Sequence, residues 1–307
     1  MRIVSLLPSA TEIICSLGLR EHLVGVTHEC DFPADVVGLP IVTRSIIPHD
    51  ASSIEIDQLV RSQLETTTAL YSLNVELLEE LQADIIVTQA LCEVCAVSEA
   101  EIEETICQLS NQPRVVNLEP MCLQDVFDTL LLLGKETGKE VVSARVVDAL
   151  NARVERVRAL TESHVQKNQY PKVAFLEWID PPFNAGHWTP ELIEMAGGVD
   201  CLGNKHKPSE TTLWENIIEA QPDIMFVACC GFSMERAAKD LPILQSNVGW
   251  KDLPCVKNKR VYFSDGNSYF NRPGPRLVDS LEIIANALHP DVHILGLGLP
   301  NAVRVLN

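Results

Sequence analysis

Lys139-Glu-Val-Val-Ser-Ala-Arg-Val-Val-Asp-Ala-Leu-Asn-Ala-Arg-Val-Glu-Arg-Val-Arg-Ala-Leu-Thr-Glu-Ser-His-Val-Gln166 is the stretch on which the reading of this chain turns. Val142, Val146, Leu150, Val154, Val157 and Leu160 recur at steps of three and four, with Arg145, Asp148, Arg153, Glu155, Arg156 and Arg158 mostly between them. That is the pattern of one long amphipathic helix. No residue inside it breaks a helix, Gly134 and Gly138 punctuate it before and Pro171 after, and at about 1.5 Å per residue it would run roughly 40 Å. Near the middle of a chain such a helix is a stiff strut between two lobes, where a Gly/Ser tether would leave them loose.

The length on either side suits that role. A chain of 307 residues is longer than a single core usually grows. The expected division is an N-terminal lobe over residues 1–138, the helix over 139–168 and a C-terminal lobe over 169–307. A hydrophobic share of 46% with 21% charged residues excludes a disordered chain. A net charge of −18 argues against a nucleic-acid or anionic membrane surface, both of which want clustered Lys and Arg, and favours a neutral or cationic ligand.

The opening Met1-Arg-Ile-Val-Ser-Leu-Leu-Pro8 enters a strand directly, without the charged and apolar regions of an export signal, and no stretch approaches the ~20 apolar residues of a membrane span. A cytoplasmic protein is therefore expected, or a periplasmic one if a signal peptide has been removed, as a monomer or weak dimer. Ten cysteines in such a chain read as reduced thiols or metal ligands rather than disulfides.

Arg2 to Leu7 is an apolar strand, after which Pro8-Ser-Ala-Thr-Glu12 opens a helix with Ser9 as its expected cap and Glu12 at the capping-box position. Leu23 to Thr27, Asp84 to Thr88 and Arg114 to Leu118 are further strands, separated by helices, which implies a parallel sheet covered on both faces. Beyond the strut the order returns. Val173 to Trp178 parallels the first strand, Val199 to Gly203 the second, Leu77 to Gln89 aligns with Trp214 to Ala228, and Arg114-Val-Val-Asn-Leu118 with Arg260-Val-Tyr-Phe-Ser264. Three matched units in one order indicate a duplication. The fold expected is α/β: two Rossmann-like lobes with parallel sheets joined by one long backbone helix. Ligands of parallel sheets bind beyond the carboxyl ends of the strands. This singles out Pro8 to Thr11, His28 to Phe32, Gln89 to Cys95, Trp178 to Trp188, Cys229 to Phe232 and Asp265 to Arg272.

Four of these segments together resemble a family. Leu7-Pro-Ser-Ala-Thr-Glu12, the loop ending Asp31-Phe-Pro33, Asp180-Pro-Pro-Phe183 and Tyr269-Phe-Asn-Arg-Pro-Gly-Pro-Arg276 are similar to the cobalamin-binding proteins of ABC importers, in the helical-backbone (class III) group of substrate-binding proteins. The resemblance covers nearly the whole chain. Thr88-Gln-Ala-Leu-Cys-Glu-Val-Cys-Ala-Val-Ser98 and Cys230-Gly-Phe232 resemble a branch of that family that lacks an obvious export signal. It implies a corrinoid clamped between the lobes with little hinge motion, no catalysis, and an ABC permease as partner. The aromatic cover of the corrinoid would fall on Phe183, Tyr269 and Phe270, with His28 and Glu29 opposite. Of the two acidic residues that dock the permease in the family, Glu55 matches the first, while Asn271 stands where the second is expected.

The residues admit several readings of their own. Cys92 and Cys95 with Cys230 have the spacing for a soft ion such as zinc, iron or cobalt, but equally for small residues packed at strand ends, or for a redox pair. His28 and His187 suit a metal or a corrin face, or a hydrogen bond to the backbone. Trp178, Phe183, Trp188, Tyr269 and Phe270, with Arg272 beside them, suit stacking on a planar apolar ligand, or interior packing. Walker, GxGxxG, nucleophile-elbow and HExxH patterns are absent, so no enzyme is expected. The expected function is corrinoid-type binding, with a corrinoid or transition metal as ligand and no resident cofactor required. The rival is a thiolate metal chaperone or redox protein.

Overall fold

The computed structural model describes residues 1–45, 51–66, 71–89, 99–166, 170–296, 298–300 and 303–304. They divide into two compact units, Met1–Pro120 with Gln124–Val147, and Met121–Leu123 with Asp148–Asn307.

The first unit runs β1 (Ile3–Ser5), α1 (Pro8–Ser16), β2 (Leu23–Val26), β3 (Thr43–Ser45), α2 (Ser53–Thr66), β4 (Tyr71–Leu73), α3 (Val75–Leu81), β5 (Ile85–Thr88), α4 (Glu99–Gln108), β6 (Arg114–Asn117) and α5 (Leu123–Glu136). Its sheet has the order β2-β1-β5-β6 with every pair parallel. The inner strands β1 and β5 are buried at each position, which is why they read as unbroken apolar runs, whereas edge strand β6 exposes Arg114 and Val115. Val4, Leu6, Leu78, Leu81, Ile86 and Ile102 pack into one core beneath it.

Two local expectations need correction. Ser9 does not cap α1. Leu7 occupies that position with extended backbone, Pro8 is the first helical residue, and Ser9 lies inside the helix, buried. Proline fits there because the N–H it lacks would have had no intrahelical partner. Gly134, read as punctuation before the strut, lies inside α5. A Cβ there would meet Ser143 Oγ at 2.1 Å, so glycine permits the close approach of the next helix.

That helix, α6, covers Glu140–His164, 25 residues and so about 37 Å. Its buried seam is Ser143, Val147, Leu150, Val154, Val157 and Thr161, at steps of four and three, while Val142, Val146 and Leu160 lie half-buried beside it.

In the second unit follow β7 (Lys172–Ile179), β8 (Pro182–Asn184), β9 (Gly186–His187), α7 (Thr189–Met195), β10 (Val199–Asp200), β11 (Asn204–Lys205), α8 (Trp214–Ala220), β12 (Ile224–Val227), α9 (Met234–Ala238), α10 (Leu241–Ser246), α11 (Pro254–Lys257), β13 (Val261–Phe263), α12 (Leu277–Leu288) and β14 (Val303–Arg304). The parallel order β10-β7-β12-β13 repeats that of the first sheet, strand for strand, with β14 added antiparallel to β13 and β8 to β7.

Two clusters hold α6 to this unit. Arg153 donates to Asp279 Oδ1 at 2.5 Å and to Glu282 at 2.9 and 3.1 Å, and Arg156 donates to Glu282 Oε1 at 2.9 Å. Further along, Thr161 Oγ1 and His293 Nε2 lie 2.9 Å apart, His289 Nε2 donates to Gly197 O at 2.9 Å, and Asn286 Nδ2 donates to His293 O at 2.7 Å. His289 and His293 are thus internal fasteners. Burial pushes both imidazoles down from the usual histidine range. Arg260 adds to this at His289, where the Gly197 bond opposes it, and His289, His164 and Arg156 add to it at His293. A base whose folded pKa is depressed takes up its proton more readily when unfolded, so this stability is present above the ordinary histidine range and is lost as pH falls through it. Thermal unfolding of His293→Gln between pH 7 and 5 should show a smaller loss of stability than the wild type. Equal losses would contradict the assignment.

Candidate functional site

In each unit the candidate residues sit where parallel strands end. In the first unit, His28 follows β2, and β3 supplies its partner. Thr43 Oγ1 lies 2.7 Å from His28 Nδ1, accepts the His28 backbone N–H at 3.1 Å and donates to Thr27 Oγ1 at 3.0 Å. With that hydroxyl proton given to Thr27, Nδ1 carries a hydrogen that Thr43 Oγ1 accepts. The ring packs on Tyr71 of β4 at 5.1 Å between centroids. Nε2 is buried without a hydrogen bond, 3.3 Å from Glu29 Oε1. An imidazole nitrogen and a carboxylate oxygen converging in this way form two donors of the kind that share a metal ion. Close by, Thr11 Oγ1 lies 3.1 Å from Cys30 Sγ.

In the second unit, Trp178 and Phe183 are cross-strand partners in the β7–β8 pair. The Trp178 ring lies 4.8 Å from Phe232, which follows β12, and the Arg236 guanidinium stands 4.2 Å from the Phe232 centroid while pairing with Asp240 at 3.2 Å. Phe232 falls in the strand-end segment Cys229 to Phe232 singled out by sequence, whereas Arg236 lies outside every such segment. Tyr269 is half-buried in a π-helical turn, Gly266–Phe270, with Arg276 5.5 Å from its ring centroid.

Phe270 and Trp188 do not belong to this outer layer. Phe270 is 1% exposed and packs at 5.4 Å against both Phe175 and Phe226, two rings that stack on each other in the sheet core. Trp188 is 7% exposed and donates its indole N–H to Phe270 O at 2.9 Å. Arg272, 4% exposed, donates to Asn267 Oδ1 at 3.1 Å and so braces the same turn from within. Adjacent rings along an irregular turn face in different directions, so the pair Tyr269 and Phe270 divides between surface and core.

His187 is half-buried, with a left-handed backbone (φ 50°) and its ring 5.3 Å from Trp188. Burial holds its pKa below the usual histidine range. Glu177 on β7, a residue the sequence reading passed over, lies beneath this turn and accepts from Gly186 N at 2.8 Å. Cys230, half-buried, donates its backbone N–H to Glu177 O at 3.0 Å. Its neighbour Cys229 is buried, which pushes its thiol far up from the ordinary range and makes it an inert packing residue. Cys92 and Cys95 lie outside the described residues. Among the described residues no group of three His, Cys, Asp or Glu side chains is placed to hold a metal ion. Glu55 Oε2 accepts from Ser52 N at 2.8 Å and Ser52 Oγ at 2.6 Å, a capping box at the start of α2. Asn271 donates its N–H to Gly266 O at 3.1 Å.

A sequence profile described as periplasmic binding protein matches residues 3–267. The chain belongs to the periplasmic binding protein family. Similar proteins include a vitamin B12-binding protein of Vibrio cholerae, 22% identical over 94% of this chain and 88% of that protein, and an uncharacterised ABC transporter substrate-binding lipoprotein, YvrC, of Bacillus subtilis, 22% identical over 94% and 80%. Among solved structures, a periplasmic heme-binding protein from Pseudomonas aeruginosa superimposes with a TM-score of 0.74 at 19% identity, covering 99% of each chain. The periplasmic vitamin B12-binding protein BtuF of Vibrio cholerae gives 0.66 at 21% identity, covering 94% of this chain and 96% of that one. At such identities the structures speak for the fold, and the expected class of two α/β units with parallel sheets and a long backbone helix is the one found. This binding protein has, among its described residues, no helix long and apolar enough to cross a membrane.

Proposed function

We propose that this chain is a non-enzymatic substrate-binding protein of the ABC-importer type that receives a flat metal chelate of the corrinoid kind on the strand-end loops of its units. The observation that carries the reading is the pair of half-buried rings of the second unit, Trp178 beside Phe183, with Trp178 packed 4.8 Å from the buried Phe232, at the ends of β7 and β12. Flat rings bury a planar macrocycle with large contact area at little cost in side-chain entropy. In the second unit Trp178, Phe183 and Tyr269 take the stacking role, with His187 beside them and Arg272 bracing their turn from within; in the first unit His28 and Glu29 are the donors suited to a metal. The relatives named for vitamin B12 support this choice, and the relative named as an ABC transporter substrate-binding lipoprotein favours the periplasmic alternative over the cytoplasmic one. A thiolate site on Cys92, Cys95 and Cys230 is not favoured, because the family is one of binding proteins.

Heme is the second reading, favoured by the buried, unbonded Nε2 of His28, an axial-ligand type of group, and supported by the heme-binding proteins of the same fold. Titration with cyanocobalamin, cobinamide and hemin, followed by absorbance and tryptophan fluorescence, tests both. Saturation below about 10 μM by one of them is expected, with Trp178→Ala weakening it roughly tenfold at unchanged melting temperature. Folded protein that saturates with none of the three contradicts the proposal.

A further inference from the structure

Among the described residues, the buried side-chain nitrogen and oxygen atoms of the first unit without a hydrogen bond are Arg20 Nε, His28 Nε2, Thr88 Oγ1 and Asn117 Oδ1. Arg20 Nε pairs with Asp35. The other three stand where the parallel strands β2, β5 and β6 end. Thr88 and Asn117 close β5 and β6 and are register partners, so their side chains leave the sheet on one face, from strands about 4.8 Å apart. Thr88 is 4% exposed, while Asn117 is half-buried. Asn117 Nδ2 donates to Glu119 Oε1 at 2.6 Å. Because a carboxylate only accepts, this bond fixes the amide orientation and leaves Oδ1 as an acceptor. The matching register of the second unit is filled otherwise. There Val227 of β12 faces Phe263 of β13, at 0% and 1% exposed. Packing at this place in the fold is thus met by an apolar pair. A buried hydroxyl and amide oxygen without partners cost stability that the repeat shows to be avoidable.

We propose that Thr88 and Asn117, with the Glu119 carboxylate beside them, form a subsite for N–H donors of the ligand, which selects a macrocycle bearing primary amides over one bearing carboxylates. This selection, which rests on the binding function proposed above, follows from what each atom can do. Asn117 Oδ1 and the Glu119 carboxylate only accept, and the Thr88 hydroxyl does either. A primary amide brings two N–H groups and a carbonyl, enough to donate to Asn117 Oδ1 and accept from Thr88 at once. A carboxylate brings acceptors alone. It can take the Thr88 proton, yet it meets the Asn117 oxygen and the Glu119 charge with repulsion. A corrin ring carries its polar side chains chiefly as amides, whereas heme carries two propionates, so the subsite favours the corrinoid of the two readings. The net charge of −18 acts in the same sense.

One arm of the test needs no macrocycle. In ligand-free protein, Thr88→Val should melt at the wild-type temperature or above it, because an unbonded buried hydroxyl gives way to a methyl of similar size. In methyl NMR of the whole chain, the Thr88 Cγ2 signal should shift with propionamide and not with propionate. In the ligand arm, the wild type should bind cobinamide more tightly than cobyrinic acid, whose corrin carries carboxylates in place of the amides. Thr88→Val and Asn117→Leu should each weaken cobinamide binding roughly fivefold and narrow that preference. A lower melting temperature in Thr88→Val shows the hydroxyl to be bonded within the chain and overturns the inference. So does a Thr88 signal indifferent to propionamide, or a cobinamide affinity that both variants keep, the results expected if water alone meets the pair. A propionamide shift in protein that binds neither cobinamide nor hemin upholds the subsite and removes the macrocycle alone.

Discussion

Replacing Phe270 with alanine is expected to cost about 3–5 kcal/mol of stability, the range for deleting a large ring from a packed core. Phe270 is among the largest fully buried side chains of the chain and touches both members of the Phe175–Phe226 stack, so truncation leaves a cavity that sheet residues on β7 and β12 cannot collapse to fill. Tyr269→Ala, one residue away, should cost less than about 1 kcal/mol, since its half-exposed ring loses mainly the contact with Arg276. Urea unfolding with linear extrapolation measures both. The ligand titrations should show the reverse order, with Tyr269→Ala weakening binding and Phe270→Ala binding normally wherever it remains folded. A Phe270→Ala protein of wild-type stability would place that ring at the ligand instead of in the core.

Arg153→Ala should be nearly as damaging, at about 2–4 kcal/mol. The guanidinium bridges Asp279 and Glu282 of α12, whose side chains are only 16% and 8% exposed, and its removal leaves Asp279 without a salt-bridge partner. Burial works against the Arg153 charge, yet the bonds to Glu282 and Asp279 outweigh it and hold its pKa above the ordinary arginine value. Burial wins at Asp279, raising its pKa although Arg153 opposes the rise. The upper figure is reduced because Arg153 is 34% exposed and partly screened by solvent. Arg153→Ala combined with Asp279→Asn should recover much of the loss, because the uncompensated carboxylate disappears with its partner while Glu282 keeps Arg156. A double variant no more stable than the single one would contradict that reading.

The elements legible in the sequence are those whose signal is periodic and local. The three-and-four spacing from Val142 to Leu160 is enough to find α6, and the apolar runs of β1, β5, β7 and β12 are enough to find the two sheets, because strands covered on both faces show no alternation to confuse with a helix. The pairing of β3 with β4 has no such signature. Thr43 and Leu73 meet across a long stretch of chain, and with them come Thr43 and Tyr71, the residues that orient His28. The direction of side chains in the irregular turns was equally hidden. Tyr269 and Phe270 carry the same promise as sequence and opposite roles as structure. Glu177, half-buried, did leave a trace, as a lone carboxylate inside an apolar strand. Which groups meet it, Gly186 N among them, is decided only by the fold.

The most direct measurement of what this protein holds is native mass spectrometry of the intact chain purified from its own host, followed by the same preparation after addition of cyanocobalamin and hemin. One corrinoid or porphyrin mass per chain, either retained from the cell or taken up on addition, is the predicted result. A chain that carries a ligand of another class, or that takes up neither compound while folded, would contradict it.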